Sequence, residues 1–105
     1  MTTHRILRSK DGLVIAEANG DNVRHIEGNW YFSPGSVNME TLETSDRVYD
    51  CPVKGRCYWV DMVDNGRYKN NLSWTYFETL PDYDHIRDWY GFYPHHDYYM
   101  HQQED

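Results

Sequence analysis

The chain has 105 residues, a formal net charge of -7 and an aromatic share of 16%, with ten tyrosines among those rings. That length predicts a single domain over residues 1–105 with one modest core, and the acidity excludes nucleic acid and anionic membrane surfaces as main partners, since both select for basic patches. No apolar run approaches the ~20 residues of a membrane span, and the opening Met1-Thr2-Thr3-His4-Arg5-Ile6-Leu7-Arg8 lacks the apolar centre of a signal peptide, so the sequence reads as cytoplasmic.

His4 to Arg8 predicts an edge strand, turned at Asp11-Gly12, and Leu13 to Glu17 a short second strand. Asn19-Gly20-Asp21 has the chemistry of a tight hairpin turn, from which Val23 to Glu27 would return. Gly28-Asn29 breaks that strand, and Trp30-Tyr31-Phe32 predicts another. Ser33-Pro34 then pairs a good N-cap with the residue preferred at the first helical position, which predicts a short helix or helical turn from Pro34 to about Leu42.

Arg47-Val48-Tyr49 leads into the most distinctive stretch, Cys51-Pro52-Val53-Lys54-Gly55-Arg56-Cys57-Tyr58-Trp59. Pro52 fixes φ whereas Gly55 permits φ > 0, so Lys54 sits on a tight loop from which a strand can start. Tyr58 to Val63 is the clearest strand, followed by Asp64-Asn65-Gly66. A two-residue turn would set Trp59 opposite Leu72, and a three-residue turn would set Tyr58 there. The second is chosen, because it puts Tyr58, Val60 and Met62 beside Leu72, Trp74 and Tyr76 on one face, with Asp61, Ser73 and Thr75 on a polar one. Tyr83 to Trp89 predicts one helical turn, and Gly91-Phe92-Tyr93 a last strand ended by Pro94. His95 to Asp105 would extend that strand and then fray. Many short strands with closely spaced turns predict a mainly β, antiparallel fold, either a partly open barrel or a sandwich.

The order Tyr31-Phe32-Ser33-Pro34 with Val37, Cys51-Pro52-x-Lys54-Gly55-x-x-Tyr58-Trp59, Trp74-x-Tyr76 and Gly91-Phe92-Tyr93 resembles the domain of unknown function 427 family over roughly residues 12–100. The resemblance implies a small tent-like β-fold in which strands lean together and one short helix plugs an end. It also implies a cleft lined by the shared motifs, suited to a small ligand, and frequent homodimers. Phe77 stands where a Pro commonly follows Trp-x-Tyr, and Asp88-Trp89-Tyr90 replaces a smaller, more apolar lead-in, so the mouth of a cleft would be bulkier and more acidic here. Members of the family sometimes carry a nucleotidyltransferase label. That chemistry needs paired carboxylates for a divalent metal beside a Gly-Ser cradle. Gly35-Ser36 and Asp46 are present, but Val48 occupies the position of the second carboxylate, and no basic cluster would hold a triphosphate.

The candidate binding residues are Cys51, Lys54, Tyr58, Trp74, Tyr76 and Tyr93. Cys51 lies near Lys54 and Arg56, cations that favour thiolate, although a free cysteine is more often a small buried hydrophobe. Lys54 could fix an anionic or carbonyl group, or simply neutralise Asp50 or Glu43. The aromatic residues could wall a cleft or pack a core. His95, His96, Asp97 and His101 invite a metal reading, but adjacent histidines on a strand point to opposite faces, so no metal is assigned. No cofactor is implied, and Cys51-x5-Cys57 lacks a second cysteine pair for zinc. The leading reading is therefore a small-molecule-binding β-domain. Two alternatives stand beside it: an enzyme using Cys51 as nucleophile or Lys54 with a Tyr as acid and base, and a homodimeric partner-binding module.

Overall fold

The computed structural model describes residues 1–104. Among the described residues, nine strands form two antiparallel sheets. β1 (Thr2–Arg8) lies between β2 (Val14–Asn19) and β9 (Tyr98–Glu104) in the smaller sheet. The larger sheet runs in the order β3 (Val23–Ile26), β4 (Asn29–Phe32), β8 (Tyr90–Phe92), β7 (Arg67–Thr79), β6 (Gly55–Asp64) and β5 (Leu42–Cys51). The two sheets lean on one core, which joins Ile6, Ala16, Ala18 and Tyr98 of the small sheet to Phe32, Val60, Met62, Leu72 and Phe92 of the large one. This is the predicted mainly β fold of two leaning sheets.

Two strand assignments need correction. His4–Arg8 is the middle of its sheet rather than an edge, because the segment expected to fray supplies β9. Thr2 pairs with Glu104 and the register holds through Arg8 with Tyr98. The alternation of Tyr98 and Met100 toward the core with Tyr99 and His101 outward gives β9 its apolar face. Asn19-Gly20-Asp21 likewise does not close a hairpin. A 3-10 turn at Gly20–Asn22 carries the chain from the small sheet to the large one. The hairpin turn lies further on, at Glu27-Gly28, where both residues are left-handed (φ 53° and 83°) between paired Ile26 and Asn29. The helical turn predicted at Pro34 is a single 3-10 turn, Pro34–Ser36. It stops because Val37 bridges Ala16 and the Asn38 N–H donates to the Ile15 carbonyl.

The β6–β7 register is also corrected. Asn65 and Gly66 form a two-residue turn with both residues left-handed (φ 51° and 76°), closing on the pair Asp64 and Arg67. The register then slips between Val60 and Met62, so that Trp59 faces Trp74 and Tyr58 faces Thr75. Asp61 drives the slip. Its carboxylate is almost buried, accepts the Asn71 N–H at 2.9 Å, and is held by the Arg47 guanidinium, while Asn71 takes the left-handed conformation at φ 62°. A bulge places those groups around the buried charge, which would otherwise stand unpaired.

The two-residue turn, one residue shorter than expected, redistributes the faces, and the slip by two residues preserves that alternation. Ser73 and Thr75 point into the core between the sheets and are completely buried; the Ser73 hydroxyl donates to the Gly91 carbonyl at 2.7 Å. Trp74 and Tyr76 point to the other side, with Cys57. That side is covered as well, by the 3-10 segment Pro81–Ile86. The five consecutive residues Leu72–Tyr76 are therefore all buried, as happens in a strand buried on both faces.

Candidate functional site

Two aromatic regions lie on opposite sides of the large sheet. The first contains five of the six residues singled out from the sequence. Cys51, Trp74, Tyr76 and Tyr93 belong to one cluster with Tyr31, Cys57, Trp59 and Ile86, and Lys54 borders it. Tyr58 is not among them; it stands on the opposite face, tilted against Phe77 at 5.3 Å between ring centroids.

Trp74 is the hub of this cluster. Its indole N–H donates to the Tyr31 hydroxyl at 3.3 Å, and Tyr31, Trp59 and Tyr93 surround its ring at 6.1, 6.2 and 5.4 Å. Gly91 makes this possible, since a β-carbon there would lie 2.4 Å from the indole. The cysteine loop closes over one end. Gly55 has φ 124°, and a β-carbon on it would meet the Glu78 carbonyl oxygen at 2.2 Å. The Lys54 N–H donates to Cys51 Sγ at 3.4 Å. Burial pushes the Cys51 thiol up, but the N–H groups of Lys54, Val53 and Gly55 and the Lys54 ammonium outweigh it, leaving the thiol below its ordinary range. Cys57, beneath it, is pushed up to about 12 by burial and by Cys51. Burial also holds the Tyr76 hydroxyl well above its usual value.

Lys54 is itself engaged. Burial draws its ammonium down, yet the Glu27 carboxylate more than reverses this and sets it above the usual lysine range. The ammonium pairs with Glu27 and lies 5.3 Å from the centre of the Tyr83 ring. The Tyr83 hydroxyl donates to the same carboxylate at 3.1 Å. The interior of this cluster is filled: Tyr31, Cys57, Trp74, Tyr76 and Ile86 are each under a tenth exposed.

The open space is on the other side. A cavity of about 280 Å³ lies between the sheets, walled by Ile6, Trp30, Phe92, Tyr98 and Met100 and rimmed by Tyr93, Pro94 and His95. Its shape is fixed by hydrogen bonds at the rim. The Tyr98 hydroxyl donates to the Leu72 carbonyl at 2.6 Å and accepts the Tyr93 N–H at 3.3 Å. The Tyr93 hydroxyl donates to the Asn71 carbonyl at 3.2 Å. Trp30 is held from behind by His25, stacked at 4.3 Å, and by His4 at 4.7 Å. Tyr93 alone belongs to both regions, with its ring against Trp74 and its edge on the cavity. Sequence reasoning missed the remaining wall because β1 and β9 bring Ile6, Tyr98 and Met100 together across about ninety residues.

The fold and the two regions define a small two-sheet β-protein with an aromatic-walled cavity. A family described as a domain of unknown function (DUF427), under a name that carries the nucleotidyl-transfer label, matches residues 2–103, and the chain belongs to that family. The match takes in β1 and β9, beyond the 12–100 span that the motifs indicated. No curated protein matches the chain. Among the described residues, no helix is long and apolar enough to cross a membrane.

Proposed function

We propose that the protein is a small-molecule-binding domain of the cytoplasm, and that its ligand occupies the hollow between the two sheets. The cavity carries this reading. A volume of about 280 Å³ falls near the lower bound of ordinary ligand pockets, about 300 Å³, and exceeds the roughly 150 Å³ that admits benzene. Its walls are mainly apolar and aromatic, and the His95 imidazole is a polar group on its rim. The matching ligand is a flat, largely apolar molecule of one or two rings. The closed cluster of Cys51, Lys54, Trp74 and Tyr76 supports Tyr93, which lies against both. The ligand thus meets Tyr93 directly, and the cysteine loop acts on it through the Trp74 ring.

A thermal-shift series with indole, 1-naphthol and 1,8-anilinonaphthalene sulfonate tests the reading, because a ligand that binds only the native state raises its stability with concentration. We expect a saturable rise for at least one probe, weakened in Met100→Trp, whose larger side chain takes up part of the space. No rise with any of the three, or a rise unchanged in Met100→Trp, refutes it.

One observation favours a second reading, catalysis through Cys51: the thiol is held below its ordinary range by three backbone N–H groups and a lysine. A thiol whose ionisation is favoured in this way is suited to attack electrophilic carbon. Retention of all activity toward a thiol-directed substrate in Cys51→Ser would exclude it.

A further inference from the structure

Tyr93 and Pro94 end the last strand of the large sheet, and the chain bends at His96-Asp97 before entering β9. Because this is a bend and not a strand, the rule that adjacent side chains point apart does not apply. The His95 and His96 rings stack at 4.5 Å and 21°. Both face one carboxylate oxygen: His95 Nδ1 lies 3.6 Å from Asp97 Oδ2, and His96 Nε2 lies 3.5 Å from the same atom. The three donor atoms fall within 4.8 Å of one another.

These separations are too long for good hydrogen bonds, yet they suit atoms that share an ion. Two ligands each about 2.1 Å from a tetrahedral zinc ion lie about 3.4 Å apart, close to both measured edges. The third edge needs only a small rotation of His96, whose side chain is 85% exposed. The other two ligands are already held. His95 lies between Tyr98, stacked at 5.5 Å, and the edge of Tyr93 at 5.6 Å. Lys69 donates to the far oxygen of Asp97 at 2.8 Å, which leaves Oδ2 turned toward the imidazoles. A metal on His95 Nδ1 would replace one hydrogen bond, from the Asp97 N–H at 3.0 Å.

We propose that His95, His96 and Asp97 form a binding site for a first-row divalent transition metal at the rim of the cavity. Two imidazoles and a carboxylate suit zinc, nickel, copper or iron(II) better than magnesium or calcium, which prefer all-oxygen sites. The chain's net charge of -7 favours cation uptake in general. Three protein ligands leave a coordination position for water or another donor. The site stands whether or not the cavity takes a ligand.

Calorimetric titration of Zn²⁺ alone into the untagged, chelator-treated protein tests this. We expect one equivalent bound, with affinity reduced at least tenfold in His96→Ala and in Asp97→Asn. His101→Ala and Cys51→Ser should leave it unchanged. His96→Ala removes only a solvent-facing ring, so a loss of binding there cannot be ascribed to misfolding, and circular dichroism verifies this. No stoichiometric uptake, or uptake abolished by Cys51→Ser and untouched by His96→Ala, would overturn the proposal.

Discussion

The two aromatic regions are built from the same kinds of side chain, yet one is filled and the other is hollow. The difference lies in what covers them. Over the Trp74 face, the 3-10 segment Pro81–Ile86 drives Ile86 into the rings until it is fully buried, and Gly91 lets the Trp74 indole lie on the backbone. Over the Trp30 face, the cover is a second sheet. Tyr98 and Met100 of β9 reach the cavity, but the Tyr98 hydroxyl is tied to the Leu72 carbonyl and its ring cannot swing inward to fill the space. A short segment adapts to whatever lies beneath it, whereas a sheet braced by its own hydrogen bonds keeps its distance. Aromatic content therefore says little about where a cavity lies; the stiffness of the covering element decides it.

Several substitutions would break or sharpen this contrast. Ile86→Ala should cost about 3 kcal/mol in urea denaturation, because it opens a void in a closed cluster. Met100→Ala, beside space that already exists, should cost about 1 kcal/mol. Equal losses would show that the two regions are packed alike. Gly91→Ala should cost about 2 kcal/mol, since the new methyl collides with the Trp74 indole at a place with no slack. The two cysteines should differ in reactivity. At pH 8, iodoacetamide should alkylate Cys51 about a hundredfold faster than Cys57, whose thiol is pushed up to about 12, and mass spectrometry of the native and unfolded protein would measure it.

The smallest effect is acid sensitivity. The Arg8 guanidinium and the Leu13 N–H lower the Asp11 carboxyl from 3.8 to about 2, and Lys54 lowers Glu27 below its usual 4.5. Both folded values lie below the unfolded ones. Their stabilisation is thus present above about pH 4.5 and is lost as the pH falls toward 2. Melting temperatures between pH 5 and 2 should fall less steeply in Asp11→Asn and Glu27→Gln.

Local chemistry was legible in the sequence, and long-range pairing was not. The helical turn at Pro34 and the strand from Tyr58 to Val63 announce themselves through φ preference and periodicity, whereas Asp64-Asn65-Gly66 marks a hairpin without fixing the length of its turn. The motif order identified the family and gathered Cys51, Lys54, Trp74, Tyr76 and Tyr93 into one neighbourhood. Tyr58 was grouped with Trp74 and Tyr76 because a three-residue turn was chosen where Asn65-Gly66 forms a two-residue one, and a one-residue change of register reverses every side chain. His95 and His96 were read as strand residues because Pro94 marks an end without saying which way the chain turns. The cavity wall itself depends on Thr2 meeting Glu104, a pairing that no window of ten or twenty residues contains.

That pairing also bears on assembly. The larger sheet is stitched mostly by neighbours along the chain, with β5, β6 and β7 forming a meander, whereas β1 and β9 must find each other from opposite ends. Closing so long a loop carries an entropic penalty that short hairpins escape. The β1–β9 pairing thus carries the largest loop-closure cost among the strand pairs, and the hollow exists only where that cost has been met.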